Sequence, residues 1–298
     1  MVFVSPIFIF IFLPAVLVCY AIAELTGKKT LKNMTLLGFS LIFYSWGGVS
    51  YLLLLMISIL VNYLFGRLLE VTRYRKEILI VSVIYNVGIL FIFKYFNFFI
   101  SQIDSGTDAL SILMPLGISY YTFKIISYMA DIYLKKRPAE VSILSYGIYV
   151  SFFPQIICGP ISRSEEITKQ LSQLQNPSSH MLAQGSILIL SGLFKKLVIA
   201  DRLNLYVNAI FSDTSSYPAL ALWIAAFFYT IQIYCDFSGY SELAIGTGNL
   251  LGINCQPNFR LPYFSYNIKD FWRKWHISLS SWLKDYIYIP LGGNRSSY

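Results

Sequence analysis

The chain has 298 residues, of which 56% are hydrophobic and only 13% charged, and its formal net charge is +8. Because soluble proteins average about 25% charged residues, this composition excludes an ordinary soluble enzyme and predicts an integral membrane protein. No extended basic surface is separate from the apolar stretches, so we expect membrane lipid rather than nucleic acid to meet the basic residues.

Apolar stretches long enough to cross a membrane, about 20 residues each, follow one another along the chain. The regular stretches lie at 2–22, 78–100, 110–134, 182–211 and 217–235, and less regular ones at 34–65, 141–161 and 237–253. We therefore predict an all-α, polytopic membrane protein of about eight segments, folded as one membrane-embedded domain over 1–298. Frequent glycine and proline breaks favour a protein-lined cavity over a bundle of straight helices.

The short basic loops predict an orientation. Lysine and arginine residues at 67–76 and 135–137 would both be cytoplasmic, with the turn at 104–108 on the other side. The lysines at 28–32 reach the cytoplasmic side only if the apolar stretch after them is broken into two arms. We expect this break at Trp46-Gly47-Gly48.

A polar stripe runs through the apolar stretch that follows the proline and glycine at 115–117. Its members, at steps of three and four residues, are Tyr121, Lys124, Tyr128 and Asp131. Such a stripe is costly against lipid, so we predict that it faces the protein interior. Two interpretations are compatible with this: Tyr121 and Asp131 line a tunnel, or Lys124 and Asp131 bind partners on neighbouring helices.

A second concentration of polar side chains lies in an apolar context at 229–242. Its polar members are Tyr229, Gln232, Tyr234, Asp236, Ser238, Tyr240, Ser241 and Glu242. Two carboxylates at membrane depth exceed what helix packing needs. We therefore interpret Asp236, Tyr240 and Glu242 as lining a substrate passage, in preference to a structural contact.

Two further apolar stretches carry polar residues. The run 152–163 contains two prolines and a glycine, which favours a re-entrant loop whose Gln155 and Arg163 line the same cavity. Lys195 and Lys196 lie near the middle of a later stretch, where they either bind the phosphates of a cytoplasmic cofactor or extend to the membrane interface. The four cysteines and two histidines have no ligand-like spacing, so we expect no metal site.

The C-terminal segment combines His276 with three tryptophans in an amphipathic pattern. Apolar side chains recur at three- and four-residue steps over 271–286, which predicts a helix lying at the membrane surface and capped by Asn267. Arg273, His276 and Ser280 would share a narrow strip at the border of its two faces. We expect His276 to orient a reacting group there. The alternative is an interfacial histidine bonded to a backbone carbonyl.

Two runs of this segment, Asp270-Phe-Trp-Arg-Lys-Trp-His-Ile-Ser-Leu-Ser280 and Tyr286-Ile-Tyr-Ile-Pro-Leu-Gly-Gly-Asn-Arg295, carry a resemblance to a known family. They resemble the signature of the membrane-bound O-acyltransferases, in the branch of the alginate and peptidoglycan O-acetylation proteins. Matching stretches at 115–123, 152–163 and 236–241 extend the resemblance over nearly the whole chain.

The resemblance implies a fold and an activity. The fold is a ring of transmembrane helices, with re-entrant and interfacial helices, around a central funnel. The activity is transfer of an acetyl or other acyl group from a cytoplasmic thioester such as acetyl-CoA to hydroxyls of an extracytoplasmic polysaccharide. The implied location is the bacterial inner membrane, and the implied partners are extracytoplasmic acetyltransferases or polysaccharide-export proteins.

The resemblance also implies two histidines, of which His276 matches the first. The second, usually given the catalytic role, would lie beyond Tyr298, where the sequence ends, so we expect this chain to lack the C-terminal part of the domain. Lys124 departs from the family pattern, in which a neutral amide is expected. Two alternatives to an acyltransferase are a polytopic transporter and an inactive fragment that acts as an assembly partner.

Overall fold

The described part of the chain folds into helices joined by irregular connections. A computed structural model describes residues 3–96, 98–99, 114–173 and 176–295. These ranges contain no β-strand, and the all-α prediction is confirmed. Within them, five helices are long and apolar enough to cross a membrane. The chain is therefore a multi-pass membrane protein.

Four helices make up the N-terminal part. They are α1 (Phe8–Leu25), α2 (Lys29–Ser45), α3 (Val49–Val71) and α4 (Arg75–Lys94). The predicted break between α2 and α3 is confirmed: Gly48 has a φ of +132°, a conformation that side chains rarely adopt. The predicted stretch 34–65 is thus two helical arms.

Four shorter helices lie within the described residues 114–173. They are α5 (Ile118–Tyr133), α6 (Ile143–Ser151), α7 (Phe153–Ile156) and α8 (Ser164–Gln173). α5 begins after Gly117, which has a φ of +68° and lies so close to α7 that an added Cβ would be 1.9 Å from the carbonyl oxygen of Ile156. The start of the predicted stretch 110–134 and the predicted turn at 104–108 lie outside the described residues.

The polar stripe of α5 faces the interior, as predicted. Tyr121 and Lys124 are each 1% exposed, Tyr128 is 0% exposed and Asp131 is 8% exposed. The run 152–163 also agrees with its prediction in forming no long helix, because α6 and α7 are separated at Phe152 and the chain is irregular up to α8.

The C-terminal part contains the two longest helices and two short ones. They are α9 (Ser179–Ser212), α10 (Ala219–Leu250), α11 (Ile268–Lys274) and α12 (Ile277–Leu283). The prediction of separate segments at 217–235 and 237–253 is wrong, since α10 runs through its glycines. An added Cβ at Gly246 would lie 2.7 Å from the carbonyl oxygen of Gly185. These glycines serve close packing of α10 on α9 and do not break the helix.

Candidate active site

His276 lies at a kink between two helices. α11 ends at Lys274, α12 begins at Ile277, and His276 has the left-handed backbone angles φ 43° and ψ 55°. The prediction of one helix over 271–286 is therefore wrong, and its single strip of functional side chains does not form. Only the predicted start is confirmed, because the Asn267 side chain accepts a hydrogen bond from the Asp270 N–H at 2.9 Å.

The second histidine that the resemblance implies is not tested by the structure. Its expected position is beyond Tyr298, and Tyr298 itself lies outside the described residues. Of the two histidines in the sequence, His180 and His276, only His276 belongs to the segment that carries the resemblance. The catalytic role of a second histidine therefore stays a prediction.

Asn258 explains the kink, although it comes from a distant part of the chain. Its backbone carbonyl accepts the Ile277 N–H at 3.0 Å. Its side-chain Oδ1 accepts the Ser278 N–H at 3.1 Å and the Ser278 hydroxyl at 3.0 Å. The first N–H groups of α12 are thus capped from outside the helix, and His276 has no capping hydrogen bond to make with its side chain.

The other end of α12 is anchored on α5. The Trp282 indole N–H donates to the Phe123 carbonyl oxygen at 3.0 Å. The two aromatic rings also pack together, with their centroids 4.6 Å apart. α12 is consequently held at both ends, and the position of His276 at its start is fixed by the fold.

The His276 imidazole lies in an apolar environment. Its ring packs edge-on against Phe237 of α10, with centroids 4.7 Å apart. Its Nε2 atom is buried and has no hydrogen-bond partner in the described part of the chain, so the predicted alternative, a backbone carbonyl partner, does not apply to Nε2. Burial lowers the pKa of His276 to about 4, which makes the ring neutral near pH 7.

A polar cavity lies close to the kink, because Asn258, which caps α12, is one of its lining residues. His276 itself is not among them. The volume of the cavity is about 380 Å³, and α9, α10 and the loop before α11 contribute its walls. We call it the α10 cavity. Four of its lining residues carry a buried polar atom without a partner among the described residues: Ser238 Oγ, Ser241 Oγ, Glu242 Oε2 and Asn258 Nδ2. Unpaired buried polar groups are uncommon, and their concentration in one cavity favours the binding of a polar ligand there.

Both carboxylates of α10 form ion pairs with lysines of α9. Asp236 Oδ1 lies 2.6 Å from Lys196 Nζ, and Glu242 Oε1 is bonded to Lys195 Nζ. Lys196 is also 2.7 Å from Asp201. Both lysines are thus neutralised inside the α9–α10 pair, and only Glu242 of the two carboxylates lines the α10 cavity.

Tyr240 lies beside the Asp236 ion pair. The Lys196 Nζ is 5.4 Å from the centroid of its ring, within the range of a cation–π contact. Tyr240 is not among the residues that line the α10 cavity. Of the three residues predicted to line a passage on α10, Glu242 alone borders this cavity, and Asp236 and Tyr240 belong to the ion-pair network.

Gln155 is a bracing residue and is not among the residues that line the charged cavity of Arg163 and Asp131. It is fully buried and accepts a hydrogen bond from Lys124 Nζ at 2.8 Å. It also donates to Ser162 at 2.7 Å, which fixes the irregular run before α8. Lys124 donates to the Tyr149 carbonyl oxygen as well, at 3.1 Å. These bonds support the interpretation of Lys124 as part of a packing network.

Asp131 and Arg163 line a second cavity, of about 410 Å³. Asp131 accepts a hydrogen bond from the Tyr286 hydroxyl at 2.8 Å, and Arg163 forms a 2.7 Å ion pair with Asp285. This charged cavity also has Lys136, Arg137, Glu165, Glu166 and Lys169 in its walls. Asp131 therefore borders a space that a small molecule could occupy.

The remaining predicted site residues lie outside these two cavities. Tyr121 is buried in the core, where its ring packs edge-on against Tyr44 at 6.5 Å. Arg273 is exposed, and the Ser280 hydroxyl donates to the Trp275 carbonyl oxygen at 3.3 Å. No sequence motif points to Asn258, although an asparagine beside Pro257 is a residue type that caps backbone groups.

Comparison with known proteins identifies the family. A model of the membrane-bound O-acyltransferases matches residues 40–298, which include the kink at His276 and the α10 cavity. The chain belongs to the membrane-bound O-acyltransferase family. The resemblance expected from the sequence is thereby confirmed.

Several known proteins are similar to this chain. The probable alginate O-acetylase AlgI of Pseudomonas aeruginosa is 38% identical over 309 residues, covering 100% of this chain and 58% of that protein. A peptidoglycan O-acetyltransferase of Helicobacter pylori is 36% identical over 329 residues, covering 99% and 62%. A teichoic acid D-alanyltransferase of Bacillus subtilis is 33% identical over 178 residues, covering 58% and 45%. The chain spans about six tenths of the length of the first two relatives.

Proposed function

We propose that this chain forms the membrane-embedded acyl-transfer region of a bacterial polysaccharide O-acetyltransferase. The reaction moves an acetyl group from a thioester to a hydroxyl group of a polysaccharide. Family membership supports acyl transfer. The matches to the alginate O-acetylase and the peptidoglycan O-acetyltransferase cover 100% and 99% of this chain, whereas the match to the D-alanyltransferase covers 58%. This difference supports acetyl as the group transferred.

The observation that carries the proposal is the unpartnered Nε2 of His276, at a kink held in place by Asn258, a lining residue of the α10 cavity. An imidazole with a pKa of about 4 is neutral at physiological pH. It is therefore a poor general base there, since the best pKa for a base is close to the working pH. A neutral ring can still offer a hydrogen bond to a reacting group, which matches the orienting role predicted for it.

The α10 cavity and the charged cavity suit different parts of the reaction. The α10 cavity has hydroxyl, carboxylate and amide groups without partners, and these complement a hydroxyl acceptor and an acyl group. In the charged cavity, the basic side chains Lys136, Arg137 and Lys169 would bind the phosphates of a cytoplasmic donor such as acetyl-CoA. Four carboxylates lie in the same wall and balance this charge. The protein acts in the inner membrane, with extracytoplasmic acetylation or export proteins as partners.

Site-directed variants of the full gene product test the proposal. Membranes that contain the protein are supplied with radiolabelled acetyl-CoA and a hydroxyl-bearing polysaccharide. His276→Asn is preferred to His276→Gln, because asparagine tolerates the left-handed backbone of this position. We expect normal abundance and a transfer rate at least about tenfold lower, a loss of roughly 1.4 kcal/mol of transition-state stabilisation.

The chain supplies a matched control. His180, the other of its two histidines, is exposed at the start of α9, so His180→Asn should transfer acetyl groups at the normal rate. A normal rate for His276→Asn at normal abundance would remove His276 from the mechanism. Absence of acetyl transfer by the wild-type protein would overturn the proposed function itself.

A further inference from the structure

Asn258 carries an inference that rests on the proposed function and deepens it. We propose that the Nδ2 group of Asn258 donates a hydrogen bond to the acyl carbonyl oxygen of the thioester in the α10 cavity. The same side chain holds the kink of His276 through its oxygen. Asn258 is then a catalytic residue that couples the position of His276 to the position of the acyl group.

The orientation of the Asn258 amide is fixed by its neighbours. The Ser278 backbone N–H, 3.1 Å away, can only donate a hydrogen bond, so the atom facing it must be the acceptor Oδ1. The Ser278 hydroxyl, 3.0 Å away, donates to the same atom. The NH₂ group is consequently at the free end of the amide.

The free NH₂ group is buried, so it lacks both a protein partner and bonds to bulk water. Asn258 is 1% exposed, and its Nδ2 has no hydrogen-bond partner among the described residues. Asn258 also lines the α10 cavity. A buried donor without a partner loses the free energy of its bonds to water, so a guest that supplies an acceptor is stabilised at this atom.

The other lining groups indicate what that guest is. Unpartnered polar atoms in the same cavity also belong to Ser238, Ser241 and Glu242. Their oxygen atoms can accept a hydrogen bond from the O–H group of the alcohol that receives the acyl group. Asn258 Nδ2 can only donate, and therefore requires an acceptor such as a carbonyl oxygen. An acyl group and an alcohol together satisfy both kinds of lining atom.

The role of Asn258 follows from the electron movements of acyl transfer. The alcohol oxygen forms a bond to the carbonyl carbon, and the π electrons of the carbonyl move to its oxygen. The electrons then return, the carbon–sulfur bond breaks, and the thiolate leaves. The alcohol proton passes to a base and then to the sulfur, giving an ester and a thiol. The carbonyl oxygen is most negative in between, when an N–H donor stabilises it most.

The variant Asn258→Asp separates the two roles of the side chain. An aspartate keeps an oxygen for Ser278 but replaces the donor with a second acceptor. In membranes with the full gene product, acetyl-CoA and polysaccharide, we expect kcat to fall at least about 100-fold, the effect of removing one oxyanion donor. The KM for acetyl-CoA should change much less, since the bond is strongest in the transition state.

The control is Asn249→Asp, which adds the same charge to the same cavity at another buried asparagine. We expect it to lower kcat by less than tenfold. An equal fall in both variants would attribute the effect to charge and overturn the inference. If Asn258→Asp does not accumulate, the uncharged Asn258→Ser is used, with a tenfold loss as the criterion.

The outcomes for Asn258 and for the proposed function are distinguishable. A wild-type protein that transfers acetyl groups, with an Asn258→Asp variant within threefold of it, would overturn the role of Asn258 and leave the proposed function intact. A wild-type protein that transfers none from acetyl-CoA would overturn both. Abundance and the thermal unfolding midpoint of each variant in detergent exclude loss of folded protein as the cause.

Discussion

Arg163 and Asp285, 122 residues apart in the chain, form an ion pair of 2.7 Å. The Arg163 guanidinium also lies 4.6 Å from the ring centroid of Tyr286. These contacts tie the irregular run before α8 to the π-helical turn Lys284–Tyr288, which directly continues α12. The segment that carries His276 is therefore attached to the core by this pair as well as by Trp282.

A double-mutant cycle on this pair should give a measurable coupling. The side chains are 19% and 36% exposed, so we expect Arg163→Gln and Asp285→Asn to be coupled by about 1 kcal/mol in thermal unfolding, between the values of exposed and buried pairs. The Arg67–Glu70 pair, at 3.6 Å and with 40% and 36% exposure, is the control. Its coupling should be below about 0.5 kcal/mol, and equal couplings would contradict the anchoring role.

The Lys195–Glu242 pair allows its structural and functional roles to be separated. Because each side chain is 22% exposed, Glu242→Gln should lower stability by about 1–3 kcal/mol, less than the loss for a fully buried pair. Adding Lys195→Met removes the unpaired charge and should restore the unfolding midpoint. If Glu242 Oε2 serves the α10 cavity, the double variant stays at least about tenfold slower in acetyl transfer. Full recovery of the rate would leave Glu242 only a structural role.

Packing of α9 on α10 should not tolerate a methyl group at Gly192. An added Cβ there would lie 2.6 Å from the Gly239 carbonyl oxygen, so we expect Gly192→Ala to destabilise the protein by about 1–3 kcal/mol. Gly88 of α4 has no atom within 4 Å of its would-be Cβ. Gly88→Ala should therefore be neutral or stabilising by up to about 1 kcal/mol. Thermal unfolding in detergent compares the two, and similar values would refute the close approach.

Acid should destabilise the protein partly through His276. Its pKa in the folded protein, about 4, lies below the ordinary value of 6.5, so its contribution is complete above pH 6.5 and is lost as the pH falls toward 4. Between pH 7 and pH 5 the loss should be about 2 kcal/mol. The unfolding midpoint of His276→Asn should fall less than that of the wild type over this range, whereas His180→Asn should behave like the wild type. Equal acid sensitivity of all three proteins would argue against a desolvated His276.

The features that could be predicted from the sequence are those set by local pattern. The long apolar stretches predicted three of the membrane helices, α1, α4 and α9, close to their observed bounds, and the glycines at 47 and 48 predicted the break before α3. The spacing of polar residues on α5 was sufficient to place Lys124 inside, because a polar stripe facing lipid is unfavourable. Asn267 was recognised as a cap because it acts on the next turn of its own chain.

The features that were missed depend on contacts between distant residues. The kink at His276 follows from hydrogen bonds to Asn258, and nothing in the amphipathic pattern of 271–286 reflects that partner. The continuity of α10 follows from Gly185 and Gly192 on α9, which make its glycines packing sites. Asp236 and Glu242 were predicted to line a passage because the sequence pattern does not reveal their ion pairs. The lysines that pair with them lie 40 and 47 residues earlier in the chain.

The length of α10 determines how deep its charged residues lie. Its 32 residues rise about 48 Å, whereas the hydrocarbon layer is about 30 Å thick. The first part, 219–235, has no charged side chain and alone covers about 25 Å. When that part lies in the hydrocarbon layer, with Trp223 near one boundary, Asp236 and Glu242 lie near the opposite boundary between lipid and water. In that placement the two carboxylates of α10 avoid the centre of the bilayer, where a charged side chain is most costly.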